Sequence, residues 1–181
     1  MIVALVVAAT SLFRIEGADV WWHARTGRWI WENGAIPTED PFSHTAAGPW
    51  TYTDALAQLL FYAIHSVAGP EGLVLLKAAI VLALALVVHR LAATRPAAAA
   101  VALALFGLAS HFRFVVKPHL FSYLLFALLL LLVRQVEETG RTRRLAWIPV
   151  VLAIWGNLHR GGAIALATLG LVGVAWALDP E

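Results

Sequence analysis

Asp19 and His23 stand four residues apart in the stretch DVWWHARTGRWIWENG, which sets them on one face of a helix. A carboxylate and an imidazole so placed can exchange protons with a bound group. Further on, Arg113, Lys117 and His119 lie in SHFRFVVKPH, and Asn157, His159 and Arg160 lie in NLHRGG. Such cations hold oxyanions, and the glycine pair after Arg160 permits close backbone approach. Each group also has a plainer reading. Asp19 precedes a helical-looking run and can be its N-cap, with His23 as a structural partner. Arg113 and Lys117 can snorkel toward headgroups, as can Lys77, a charge inside an apolar run. HRGG can be a simple turn. Asp40, in the turn-rich NGAIPTEDPFSHTAAGPW, reads as an Asx-turn residue more readily than as a base. The four tryptophans of the first stretch, half of the chain's eight, suit an interfacial belt as well as a stacking platform.

The elements that carry these residues are apolar. Of 181 residues, 61% are hydrophobic and 13% charged, and the mean hydropathy is +0.78. A soluble domain needs more polar surface, so the composition predicts an all-α, polytopic helix bundle in a membrane, built as one transmembrane domain over residues 1–181. The absence of cysteine excludes disulfides and thiolate metal sites. A net charge of +2 with dispersed basic residues gives no footprint for nucleic acid. Met1–Phe13 lacks the basic start of a signal peptide. As a helix it rises only about 20 Å against a hydrocarbon core of about 30 Å. Either the helix continues into Ile15–Trp22 or the true start lies upstream. The other end, WALDPE, stops abruptly after an apolar run, and the chain reads as a fragment.

Six further apolar runs follow: Ala55–Val67, Gly72–Leu91, Ala97–Ala109, Leu120–Val133, Trp147–Leu158 and Ala163–Leu178. Arg90 and Arg95 in HRLAATRP, and the four arginines of RQVEETGRTRR, mark cytoplasmic loops by the positive-inside rule. Arg14–Asp54 carries three arginines against six acidic residues and reads as external. One crossing must therefore join Asp54 to Arg90. Ala55–Val67 is short, and Asp54, Gln58, Tyr62 and His65 form a polar stripe along it, so it is predicted to lie on the external surface. Gly69-Pro70 then turns the chain into a true span. The external region is thus 14–71 with interfacial helices, and 72–181 holds transmembrane helices. Six of seven histidines, all but His89, fall at the external face, together with Asp19, Asp40, Asp54, Arg113, Lys117, Asn157 and Arg160. A site formed by distant loops is expected there.

Three segments carry a family resemblance: GADVWWHARTGRWIWENGAIPTEDPFSHTAAGPWTYTDALAQLLF, VVKPHLFSYLLFALLLLL and WGNLHRGG. They resemble a branch of bacterial multispanning proteins that typically carry Asp-x-Trp-Trp-His, Asp-Pro-Phe-Ser, Arg-Pro-Gln-Leu-Phe and Asn-Leu-His-Gly-Gly segments. That branch looks like part of the GT-C glycosyltransferase superfamily, which includes protein mannosyltransferases and the aminoarabinose transferase of lipid A. The resemblance implies a multi-pass protein of the bacterial inner membrane whose partners are membrane lipid and a polyprenyl-phosphate sugar donor, with the divalent metal and oligomeric state left open. It makes Asp19 the catalytic-base candidate with His23 beside it, and Ala55–Val67 a juxtamembrane helix. Arg113, Lys117, His119, His159 and Arg160 become candidates for binding the donor. The chain departs from the pattern at four points. Val20 follows Asp19 where many relatives have a second acidic residue. The Arg-Pro-Gln segment is Lys117-Pro118-His119. Arg160 intervenes between His159 and Gly161. The spans are about half the usual number, so the catalytic unit would be incomplete.

Transfer from such a donor needs a carboxylate to take the acceptor proton, cations to stabilise the departing lipid phosphate, and a groove for the prenyl tail. Asp19, then Arg113, Lys117 and Arg160, can supply the first two. Three other classes compete. A non-catalytic polysaccharide-assembly subunit fits the missing second acid. A lipid or solute transporter would use polar groups near mid-membrane, where Lys77 stands alone. A haem or metal protein would need histidines deep within spans.

Overall fold

The computed structural model describes residues 2–45, 48–92 and 96–178. Arg95, assigned above to a cytoplasmic loop, and the terminal Asp179-Pro180-Glu181 lie outside the described residues. Among the described residues the chain is all-helical: α1 (Ile2–Ala9), α2 (Asp19–Asn33), α3 (Ala55–Leu91), α4 (Pro96–Ser110), α5 (His119–Thr139), α6 (Trp147–Leu158) and α7 (Gly162–Leu178). Two 3₁₀ turns, His111–Arg113 and Thr142–Ala146, lead into α5 and α6. Three segments among the described residues are long and apolar enough to cross a membrane: Ala55–Leu91, Pro96–Arg113 and His119–Thr139.

The first apolar run does not continue as a helix. It ends at Ala9 because Thr10 and Ser11 turn their hydroxyls back onto the Val7 and Ala8 carbonyls at 2.7 and 2.6 Å, in place of further helical bonds. The chain then runs without helix to Asp19. Lys77 holds this segment. Its Nζ donates to the Phe13 carbonyl at 3.0 Å and stands 3.5 Å from the centre of the Phe13 ring. The lysine is 1% exposed, so it does not snorkel to headgroups; its charge is spent inside the protein on a backbone oxygen.

A straight helix over Ala55–Leu91 would be about 55 Å long, nearly twice a hydrocarbon core. It is broken at Gly69, whose φ of 61° and ψ of −161° are essentially closed to other residues. Pro70 begins the second half, where its missing N–H and fixed φ suit a first helical turn. The break falls where the sequence places it. The second half, roughly 33 Å long, matches one crossing. The polar stripe on the first half has a different role from the one expected. Gln58 is 1% exposed, and the stripe is covered by α2: His65 meets the Trp21 ring edge-on, and Gln58 faces His23. The uncovered side is apolar, with Leu56 and Val67 exposed.

Around α3 the other helices alternate in direction. Ala4 of α1 and Leu103 of α4 pack on Ala85. Leu84 and Val87 pack against Ala127 of α5, and Arg134 donates to the Leu91 carbonyl, so α5 runs parallel to the second half of α3. Arg144 reaches Gln135 while Trp155 reaches Ser122, so α6 returns antiparallel. Trp176 reaches Glu137, which brings α7 back alongside α5. α5 outlasts its apolar run because Arg134 and Glu138 pair at 2.6 Å on successive turns and Gly140 closes the helix in a left-handed conformation. One end of the bundle therefore gathers the end of α1, all of α2, the Gly69 break, the His111–Arg113 turn, the start of α5 and the α6–α7 turn.

Candidate functional site

Asp19 opens α2 but does not cap it. The cap position belongs to Ala18, and no side-chain capping bond forms there. A carboxylate in the first turn still suits the helix dipole. Its Oδ2 instead receives the Lys117 ammonium at 2.5 Å, and that bond holds the Asp19 carboxyl below the usual carboxylate range. Both partners remain open to water, with 60% of the Asp19 and 38% of the Lys117 side chain exposed. An exposed pair of this kind contributes roughly 0.2–1 kcal/mol, so it is easily exchanged.

His23 lies one turn further along α2 and is half-buried. Burial holds its imidazole below the ordinary value, although the nearby carboxylates of Asp54 and Asp19 pull the other way. The Gln58 amide Nε2 faces His23 Nδ1 at 3.5 Å, while Gln58 Oε1 and the Tyr52 hydroxyl are buried without a partner among the described residues. Trp22 stacks on Tyr52, with ring centres 6.0 Å apart and 9° between planes. The close approach of α2 to α3 depends on Gly27, where a Cβ would lie 1.9 Å from the Gln58 carbonyl oxygen.

The second stretch arrives from the turn before α5. His119 Nε2 donates to the Arg113 carbonyl at 3.0 Å, and the His119 ring stands edge-on to Tyr123. Arg113 itself is exposed and lies 3.5 Å from the Tyr123 hydroxyl. His119 therefore fastens the turn to α5. The charges of Lys117 and His159 also reach it.

The third stretch is the break between α6 and α7. His159 takes an extended conformation, which ends α6. Its Nδ1 lies 2.7 Å from Ser122 Oγ and receives the Gly161 N–H at 3.2 Å. Burial keeps His159 below the ordinary imidazole value; Asp54 acts against this and Arg160 with it. Arg160 is exposed beside it.

Asp19, His23, Lys117 and His159 thus meet at one end of the bundle, with His119 alongside. Arg113 and Arg160 stand at the margin and make no polar contact with Asp19 or Lys117. Asp40 forms an Asx turn, accepting from the Phe42 N–H at 2.9 Å. Two contributors are not among the expected residues, Ser122 and Trp155, each lying in an apolar run, while Asp54, expected at this face, adds a second carboxylate whose charge reaches both His23 and His159. The serine inside LFSYLLF was the available signal for the first. An apolar groove of about 440 Å³ lies between α2, α3 and α6, lined by Ile30, Ala55, Leu59, Ile154 and Asn157 among others. Among the described residues no group of three or more His, Asp or Glu side chains is placed to hold a metal ion.

The assembled groups can take a proton at a carboxylate, bind an oxyanion at an ammonium and flank it with neutral imidazoles. No family model matches the chain, and no curated protein or solved structure matches it.

Proposed function

We propose that the chain is a multi-pass membrane glycosyltransferase-like protein. It transfers a sugar from a polyprenyl-phosphate donor to an acceptor hydroxyl at the external face of the bacterial inner membrane. The observation that carries this reading is the Asp19–Lys117 pair, which joins a candidate base to a candidate phosphate partner across distant parts of the sequence. In the resting state each satisfies the other. An arriving donor phosphate competes for Lys117 with its own oxygens, aided by Arg113 and Arg160 at the margin. A charge-assisted phosphate contact outweighs a solvent-exposed carboxylate pair. Asp19 is then released from the partner that held its proton affinity down, and becomes a better base.

The step balances simply. Asp19 takes the acceptor hydroxyl proton, and the acceptor oxygen bonds to the anomeric carbon. The bond from that carbon to the phosphate oxygen breaks, and the polyprenyl phosphate leaves with the electron pair, held by Lys117. The prenyl tail lies in the groove between α2, α3 and α6. Asp54 supplies the second acidic group that Val20 does not. A transporter would use polar groups near mid-membrane, and Lys77, the lone charge there, is already engaged by the Phe13 carbonyl.

The test is transfer from a polyprenyl-phosphate sugar by the full-length protein in liposomes. Asp19→Asn is expected to lower turnover by about 10²–10⁴-fold, with donor binding unchanged or tighter because Lys117 loses its competitor. Lys117→Ala is expected to weaken donor binding. Wild-type turnover in Asp19→Asn returns the pair to a surface contact and favours a non-catalytic assembly subunit.

A further inference from the structure

The contacts at the head of α5, α6 and α7 have a direction. The Trp155 indole Nε1 can only donate, and it gives its hydrogen to Ser122 Oγ at 2.7 Å. The Gly161 amide can also only donate, and it gives to His159 Nδ1 at 3.2 Å. Nδ1 must therefore hold a lone pair. The 2.7 Å contact between Ser122 Oγ and Nδ1 is then the serine hydroxyl donating. The hydrogen of the neutral ring is left on Nε2, which has no partner among the described residues.

We propose that the Gly161 amide and the Ser122 hydroxyl, the latter positioned by Trp155, together lock His159 in its Nε2–H tautomer, so that it offers a ligand oxygen a hydrogen-bond donor and not a proton acceptor. The lock is built into the fold. Trp155 is 1% and Ser122 9% exposed, which shields the bond between them from water. Gly161 is the residue that lets the parts meet: a Cβ there would lie 2.6 Å from Ser122 Oγ and 3.0 Å from His159 Nδ1. Protonating Nδ1 would set its hydrogen against the Gly161 N–H and leave the Ser122 hydroxyl hydrogen without its acceptor. This opposition adds to that of Arg160 in the α6–α7 turn and acts against Asp54 at the start of α3; the imidazoles of His23 and His119 also stand near the ring. The functional consequence rests on the transferase reading, in which the ligand oxygen belongs to the donor phosphate. His159 then steadies the leaving phosphate beside Lys117, and proton abstraction is left to Asp19.

The experiment is nitrogen NMR of the full chain in detergent, labelled with ¹⁵N-histidine, with the His159 signals identified by their loss in His159→Gln. The wild type is expected to show one tautomer at pH 7.5, protonated at Nε2 and hydrogen-bonded at Nδ1. Ser122→Ala should give mixed tautomers and an upward shift of the His159 titration midpoint. Ser122→Thr, which keeps the hydroxyl, should restore the single form. A wild-type ring protonated at Nδ1 overturns the proposal without any variant, as does an unchanged tautomer in folded Ser122→Ala. Binding of a short-chain polyprenyl phosphate should weaken by about tenfold in Ser122→Ala, as one ordered bond is lost. Equal affinity in the two proteins overturns the donor role. A wild type that does not bind this probe rejects the transferase reading, while the spectra still decide the lock.

Discussion

Replacing Gly27 with alanine puts a methyl group where α3 already has a carbonyl. The new Cβ would lie 1.9 Å from the Gln58 oxygen, 2.4 Å from its carbonyl carbon and 3.0 Å from the Leu59 nitrogen. All three are backbone atoms of a helix, so none can rotate aside. Ordinary contact begins near 3.4 Å, so α2 must withdraw from α3 by about 1.5 Å, the difference between 3.4 and 1.9 Å. Overpacking of this kind costs about 1–3 kcal/mol. At roughly 2–4 °C per kcal/mol for a chain of this length, the Tm falls by about 2–12 °C. Function is expected to suffer more, because Asp19 lies about two turns up the same helix and its 2.5 Å contact with Lys117 cannot survive a withdrawal of that size intact. A misplacement of about 1 Å in a catalytic group can cost 10²-fold in rate. The assay is thermal unfolding of the purified protein in detergent, followed by tryptophan fluorescence, together with sugar transfer. Gly173→Ala is the control: nothing lies within 4 Å of a Cβ there, so alanine should hold or raise the Tm. A Gly27→Ala protein as stable as Gly173→Ala would refute the close α2–α3 crossing and the site built on it.

Three other outcomes are expected. Lys77→Ala leaves the Phe13 carbonyl without its donor and should cost about 1–3 kcal/mol; an unchanged Tm would mean that the lysine snorkels after all. A cysteine placed at Arg143 in this cysteine-free chain should resist impermeant labels added from the external side, and ready labelling there would invert the membrane topology. Stability should fall in two stages on acidification. Burial lowers the imidazole affinities of His23 and His159, so the unfolded chain takes up protons first as pH drops below about 6.5, and stability present above that value is lost. The Lys117 bond likewise lowers that of Asp19, which adds a second loss below about 3.9. A Tm that does not change between pH 7 and 5 contradicts the first stage.

What the sequence made legible follows from the kind of signal each feature leaves. α6 spans Trp147–Leu158, the bounds of its apolar run, because charge and glycine close both ends. The break at Gly69-Pro70 could be read because only those residue types serve there. α5 ran past its apolar run to Thr139 because arginine–glutamate pairing sustains a helix that hydropathy does not see. Lys77 was misread for a related reason. A lone charge in an apolar run shows its cost in sequence but not the carbonyl that answers it, and Phe13 is far away along the chain. Ser122 and Trp155 were silent because a serine and a tryptophan among leucines are unremarkable until another helix crosses them. Asp54 stands among the polar residues of the first long loop in the sequence, but its proximity to His23 and His159 depends on how α2 and α6 meet α3.

The glycines tie these failures together. Gly27 brings α2 onto α3, and Gly161 brings the α6–α7 turn onto α5; at each, a Cβ would collide with the partner element. One crossing carries Asp19 and His23, the other carries His159. The polar groups of the site are thus placed by contacts with no side chain of their own, at the bundle end where the helices are shortest and most broken. Such contacts leave no hydrophobic pattern to read. They also separate the site from the rest of the bundle in energetic terms. The spans below are held by many interchangeable apolar contacts, and swaps that keep volume cost less than about 1.5 kcal/mol each. The site depends on the approach of Gly27 to the α3 backbone and of Gly161 to the Ser122 and His159 side chains. Changes at Gly27 or Gly161 should therefore disturb the Asp19–Lys117–His159 geometry well before they unfold the helices, whereas conservative changes along α7, where nothing lies within 4 Å of a Cβ at Gly170 or Gly173, should do neither.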